Sequence, residues 1–509
     1  MKEEQIIKSN FEQSSLLFKN DILLNEDRIT ILKELSAKNN LSSKKELRPI
    51  AWRIFFETIP SESKDNNLIK DWIDIIYQQR EEYKKKLEKY CSLKKFGYGD
   101  PLLKNENGEN NDSLYNEEEK NVLNLINLDL QRTHQALELF QTTKTKNILS
   151  NVLFIYAKEY WGDIPYGQGM NELLSMIYIC LYPYYFNNNL ENKNEKITKE
   201  NLYEYLNDIN KYYKEIYLFF HDETQIQSDL FYLFESLEKK GINDLYQRFD
   251  IKKSDPNYNL YELFPDIFKD HSDEDRTNHL NLRAYNIFKE KLKLIDNKLF
   301  NYLKRINVKC NYFMHRWLKC IFSREFEVDE VLSLWDKIFF YEFNSSKKYK
   351  YSLIYIDFIC VAMLVNIRYE LFKKNDDSDC YTLIFHYPKQ ENITIILELA
   401  DKISEIIQKK LIGDIYDINE VIRMIKKGNN YNEIEEENDS DVNEELIIKP
   451  HMYNQQSKLN YITCDKKREI VIFFGKYIIK IKLLVILLFC LIIFLILIFL
   501  YKNFIMDSE

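Results

Sequence analysis

Glycine and proline are scarce, at 10 and 9 of 509 residues, against ordinary shares of about 7% and 5%. A chain so poor in breakers, with long apolar-periodic runs, reads as mostly helical. The shortage of glycine also argues against a nucleotide pocket of its own. There is no Walker loop, no dinucleotide-binding glycine fingerprint and no nucleophile-elbow serine. The seven histidines are scattered, with no H-E-x-x-H. Eight cysteines form no C-x-x-C pair and sit mostly in apolar runs. There cysteine behaves as a small hydrophobe, so a reducing compartment without disulfides or structural zinc is expected. A net charge of −9 makes nucleic acid an unexpected partner. What the chain has in quantity is aromatic residues, 37 Tyr and 32 Phe, within a 45% apolar composition. That is enough for a large core.

The expected organisation is an all-α domain followed by one C-terminal transmembrane helix. Residues 1–45 form a polar, partly helical extension. The helical domain spans 46–425, with polar insertions near 186–200 and 252–280. Its first helix starts at Leu47-Arg48-Pro49, because proline suits the first helical turn. Leu68, Trp72, Ile76, Tyr83, Leu87 and Tyr90 then share one helical face. Helical periodicity also covers 299–340, 351–372 and 394–424, and no extended sheet is expected. Residues 426–482 form an acidic linker and a basic, apolar juxtamembrane segment suited to an anionic membrane surface.

Residues 483–500 are an unbroken apolar run of 18, about 27 Å long as a helix and near the ~30 Å of a bilayer core. Lys476, Lys480 and Lys482 precede it and Lys502 follows, an asymmetry that keeps the N-terminal side cytosolic. The N-terminus shows no apolar leader. A tail anchor at 483–501 carrying a cytosolic domain is therefore expected.

Two stretches carry chemistry. In Ile126-Asn-Leu-Asp129-Leu-Gln-Arg132-Thr133, Ile126, Asp129 and Thr133 share a stripe, and Arg132 lies within pairing distance of Asp129. Alone, this reads as an apolar-faced helix with a surface ion pair. In Tyr166-Gly-Gln168-Gly169-Met170, an amide is clasped by glycines between two helical runs. Alone, this reads as a tight interhelical turn.

With Arg48-Pro-Ile-Ala-Trp52 ahead of them, the two stretches resemble the three ordered motifs of the TBC-domain Rab GTPase-activating proteins. Arg316-Trp317, Arg324-Glu325-Phe326 and Val331-Leu-Ser-Leu-Trp335-Asp336 resemble further family segments. Residues 358–364 and His386-Tyr387-Pro388 point to the branch typified by TBC domain family member 5. The resemblance covers about residues 45–400. It implies an all-α multi-helix TBC domain that supplies catalytic groups to a GTP-bound Rab. Arg132 would be the arginine finger and Gln168 a glutamine finger orienting water. Asp129 and Thr133 would brace Arg132. Tyr166, Gly169 and Met170 would shape the loop or contact the Rab. Arg48, Trp52, Trp317, Trp335 and Asp336 would be architectural. The chain would need no cofactor, since GTP and Mg²⁺ belong to the partner. Work on endosomal membranes is the location this implies. The alternatives are a catalytically silent Rab-binding effector and a membrane tether. A separate signal, Tyr431-Asn-Glu-Ile434 followed by acids, has the pattern of a strand that adds to a ubiquitin-like modifier.

Overall fold

The computed structural model describes residues 2–63, 67–91, 116–160, 166–186, 197–246, 279–345, 352–389 and 393–412, with short strands between 463 and 482. The chain divides into two compact units, Met1–Tyr431 and Asn432–Glu509. In the first, the described elements are helical, as the lack of breakers predicts. They are α1 (Lys2–Phe18), α2 (Arg28–Ala37), α3 (Arg48–Phe55), α4 (Leu68–Cys91), α5 (Glu117–Arg132), α6 (Thr143–Glu159), α7 (Met170–Leu181), α8 (Lys199–Tyr205), α9 (Ile209–Phe220) and α10 (Ile226–Leu237). They continue with α11 (His279–Tyr285), α12 (Asn297–Arg305), α13 (Asn311–Cys320), α14 (Val328–Asn344), α15 (Tyr355–Asn366), α16 (Arg368–Phe372), α17 (Asp377–Phe385) and α18 (Thr394–Ile412). Short 3₁₀ and π turns join several of them.

Helix α7 is the axis of this unit. Ten of its 12 residues are buried, and a helix apolar all round belongs inside a core. It touches α3, α5, α6, α10, α13 and α14. Helices α4, α6 and α10 pack on one another, α15 packs along α18, and α3 lies on α14. The first 45 residues join the same core. Phe11 and Phe18 are buried, with Phe18 edge-on to Tyr217 and Phe11 edge-on to Phe186. The periodic run 299–340 is broken into three helices. One break holds Ile321 (φ 43°) and Phe322 (φ 62°) in the left-handed region, where a non-glycine backbone is strained. The Trp335 indole N–H donates to the Ile321 carbonyl at 2.8 Å and fixes that turn.

Arg48, Trp52 and Asp336 meet in one buried cluster. The Arg48 guanidinium donates from Nε at 2.9 Å and Nη2 at 2.7 Å to the two Asp336 oxygens, and the Trp52 indole adds a bond of 2.7 Å. The pair is buried on both sides, with 5% of each side chain exposed. Trp317 and Trp335 are buried too. Asp229 plays a similar part deeper in, accepting from Arg80 and from the Tyr185 hydroxyl and pairing with Arg53 at 2.8 Å.

In the second unit the described residues form a three-stranded antiparallel sheet: β1 (Thr463–Cys464), β2 (Glu469–Phe474) and β3 (Tyr477–Lys482). In register, Ile470 faces Ile481 and Ile472 faces Ile479. No extended sheet was expected, and the one described consists of these three short strands. The basic, apolar composition that suggested a membrane-surface segment is also rich in β-branched and aromatic residues, which favour strands. Among the described residues no helix is long and apolar enough to cross a membrane. The apolar run 483–500 and the Tyr431–Glu437 signal lie outside the described residues, as do most of both polar insertions.

Replacing Asp336 with alanine strands a buried guanidinium. The expected cost is about 3–5 kcal/mol of stability, read as a lower urea midpoint for the full chain. The double variant Arg48→Met/Asp336→Leu is expected to regain part of the loss. An unchanged midpoint in Asp336→Ala would show that the cluster does not hold the domain.

Candidate functional site

Helix α5 begins on a reciprocal cap. The Asn116 side chain accepts from the Glu119 amide at 2.8 Å, and the Glu119 carboxylate accepts from the Asn116 amide at 3.0 Å. Fixing the start fixes the phase of everything after it. Ile126, Asp129 and Leu130 consequently face the core, while Leu125, Leu128, Gln131 and Arg132 face solvent. Arg132 occupies the last turn, where a cation is favoured by the free carbonyls of the helix end.

Asp129 is 3% exposed yet carries a carboxylate. Both of its oxygens are used. Oδ1 accepts from Arg132 Nη2 at 2.5 Å, and Oδ2 accepts from the Tyr166 hydroxyl at 2.9 Å. Burial, and then the Asp129 charge, hold the Tyr166 phenol far above its ordinary range, so it stays a donor. A second rung runs beside the first. The buried Thr133 hydroxyl donates to the Asp129 carbonyl at 2.9 Å and accepts from Asn171 Nδ2 at 2.9 Å. Asn171 Oδ1 in turn accepts from the Gly169 amide at 3.3 Å.

These bonds join the end of α5 to the start of α7. Between them the chain turns at Gly169, whose φ of 110° and ψ of −21° suit glycine and penalise a side chain. The Met170 amide donates to the Gly167 carbonyl at 3.1 Å, and the Gly167 amide points at Met170 Sδ at 3.2 Å. Tyr166 and Met170 are therefore buried loop supports. Gln168 is exposed, and so is Arg132, with 64% of its side chain accessible. The arginine and the amide thus emerge from two segments braced against one carboxylate. Neither of two surface grooves, lined by residues such as Lys144, Asn147 and Glu223 and by Glu57, Asp71 and Asp74, includes either side chain. Among the described residues no group of acids, histidines and cysteines is placed to hold a metal.

Some neighbours were missed in the sequence. Asn171 was readable as a signal, being a polar residue in the first turn of an otherwise apolar helix. Arg324 was quoted in a motif without a role. It is exposed on the turn after α13, and its charge acts on His134 and Glu172 beside the two segments. Burial first, and then Arg324, lower the His134 pKa. Burial raises that of Glu172, opposed by Arg324. Trp317, Trp335, Asp336, Arg48 and Trp52 lie inside the scaffold and take no part in this surface.

Arg132 and Gln168 are thus both exposed on a helical scaffold. A sequence model of the Rab-GTPase-TBC domain matches residues 45–280 and 271–372. The chain belongs to that family. TBC1 domain family member 5 homolog A of Dictyostelium discoideum is 27% identical over 361 residues, covering 61% of this chain and 29% of that protein. TBC1 domain family member 5 of Homo sapiens is 25% identical over 376 residues, covering 72% of this chain and 42% of that protein. The chain thus spans less than half the length of these relatives. Among solved structures, the Ypt/Rab-GAP domain of Gyp1p shares the fold with a TM-score of 0.50 and 18% identity, covering 79% of this chain and 99% of that one.

Asn171→Ala removes the amide that donates to the Thr133 hydroxyl and the oxygen that accepts from the Gly169 amide. A stability loss of about 1–3 kcal/mol is expected, with faster hydrogen exchange at the Gly169 amide. Equal exchange in variant and parent would show that the loop is held by something else.

Proposed function

We propose that this protein accelerates GTP hydrolysis on a Rab-family GTPase, with Arg132 and Gln168 acting in trans. The observation that carries the reading is the shared brace: the buried Asp129 carboxylate accepts from the exposed Arg132 and from the Tyr166 hydroxyl, two residues before the exposed Gln168. Hydrolysis of GTP builds charge on the transferring phosphoryl oxygens, and a guanidinium inserted beside them offsets it. A carboxamide accepts from and donates to water, so Gln168 orients the attacking molecule as the partner's own glutamine otherwise does. Asp129 and Thr133 position these groups and contact no substrate. Gly169 gives the loop its turn. GTP and Mg²⁺ come with the partner, and this chain contributes no cofactor.

The apolar run 483–500, flanked by Lys480, Lys482 and Lys502, supports a tail anchor that leaves the catalytic unit in the cytosol. Sharing a membrane with a lipidated GTPase raises their effective concentration. The likeness to member 5 relatives supports work in endomembrane traffic, on endosomes.

In single-turnover hydrolysis with a panel of GTP-loaded Rabs, Arg132→Ala and Gln168→Ala are each expected to lose about 10²-fold or more in rate while retaining Rab binding. Unchanged rates would leave the silent-effector reading in its place. Deleting residues 483–509 is expected to move the protein from the membrane to the soluble fraction. Carbonate-resistant pelleting of the truncated protein would contradict the anchor.

A further inference from the structure

Helix α5 shows solvent a face that its own packing does not require. Leu125 is 43% and Leu128 55% exposed, while Ile126 and Leu130 beside them are buried. Positions three and four apart on a helix are neighbours, so Leu125, Leu128 and Arg132 run along one stripe. At 1.5 Å per residue, Leu128 lies about 6 Å and Leu125 about 10 Å from Arg132 along the axis. The residues flanking the stripe, Asn121, Asn124 and Gln131, are polar and exposed. A lone exposed leucine is ordinary. Two in line with an arginine that enters another protein are not independent of that entry.

The size of protein interfaces makes the link quantitative. A specific complex covers about 800 Å² on each partner, which as a disc has a radius of about 16 Å. A guanidinium reaching a partner's nucleotide must lie well inside that footprint, because the surfaces around it have to meet to admit it. Both leucines are then covered by whatever receives Arg132. We infer that Leu125 and Leu128 form the apolar docking contact for the GTP-loaded GTPase, and that this partner presents an apolar patch beside its nucleotide cleft. The inference rests on the catalytic reading above and adds a division of labour within α5. The leucines set affinity and partner choice, and Arg132 sets the rate once docked.

The test uses the full chain and a Rab that the parent protein stimulates. Single-turnover hydrolysis is followed as the concentration of parent, Leu125→Ala/Leu128→Ala, Leu128→Glu and Arg132→Ala proteins is raised. The double alanine variant is expected to need about tenfold more protein for half-maximal effect, with a saturating rate within about twofold of the parent. Leu128→Glu is expected to shift further in the same direction. Arg132→Ala shows the opposite split, losing the saturating rate. Both leucines are exposed, so circular dichroism is expected to match the parent, and Leu128→Gln supplies a milder second variant. If Leu128→Glu keeps the parent's half-maximal concentration while Arg132→Ala is inactive, the docking inference is wrong and the catalytic reading stands. A change in oligomeric state with unchanged half-maximal concentration assigns the stripe to a second copy and also overturns it. If the parent stimulates no Rab, the catalytic reading fails and takes the inference with it.

Discussion

The site depends on one carboxylate. Asp129 is buried, and a buried carboxylate with no partners costs several kcal/mol. Its two oxygens are therefore committed, one to Arg132 and one to Tyr166. That commitment fixes the end of α5 relative to the loop before α7. An exposed arginine pair adds little to stability, and Arg132 is largely exposed. The gain lies in order: a side chain with many rotamers is held at a known place by the Asp129 oxygen. The Thr133–Asn171–Gly169 bonds repeat the connection through neutral groups, so the geometry does not rest on charge alone.

The scaffold applies the same economy. Charged side chains are admitted to the core in clusters in which one carboxylate serves several donors, as Asp336 does for Arg48 and Trp52 and Asp229 for Arg80, Arg53 and Tyr185. Backbone freedom is rationed in parallel. A glycine stands where the left-handed turn must be cheap, at the entry to α7. After α13 the left-handed turn is made by isoleucine and phenylalanine. There the surrounding core, with the Trp335 bond to the Ile321 carbonyl, sets the conformation.

Much of this was legible from residues alone. Proline 49 marked α3, the aromatic spacing from Leu68 to Tyr90 marked α4, and the ordered motifs brought Arg132 and Gln168 into one argument. That Asp129 lies within reach of Arg132 followed from three-residue spacing, which is local; its role as a brace came from the resemblance. What escaped is what folding brings together from afar. Nothing near Tyr166 says that its hydroxyl reaches Asp129, 37 positions earlier. Nothing near Arg324 says that its charge bears on His134 and Glu172. The first 45 residues looked like a polar extension because charged and amide residues surround their short apolar runs, such as Leu16-Leu17-Phe18 and Ile22-Leu23-Leu24. The strands at 469–482 were missed because lysines among isoleucines suit a membrane surface and a hairpin equally.

The bond between Arg48 and Asp336 spans 288 positions. During synthesis at roughly 5–20 residues per second, that separation is about 15–60 s of waiting. Throughout that interval the nascent chain holds a helix whose arginine and tryptophan have no counterpart, with much of the apolar surface of α3 uncovered. The protein cannot assemble from its N-terminus outward as a series of finished pieces. The Arg48–Asp336 bond closes late, when α14 leaves the ribosome and Asp336 of the 509 residues has been made.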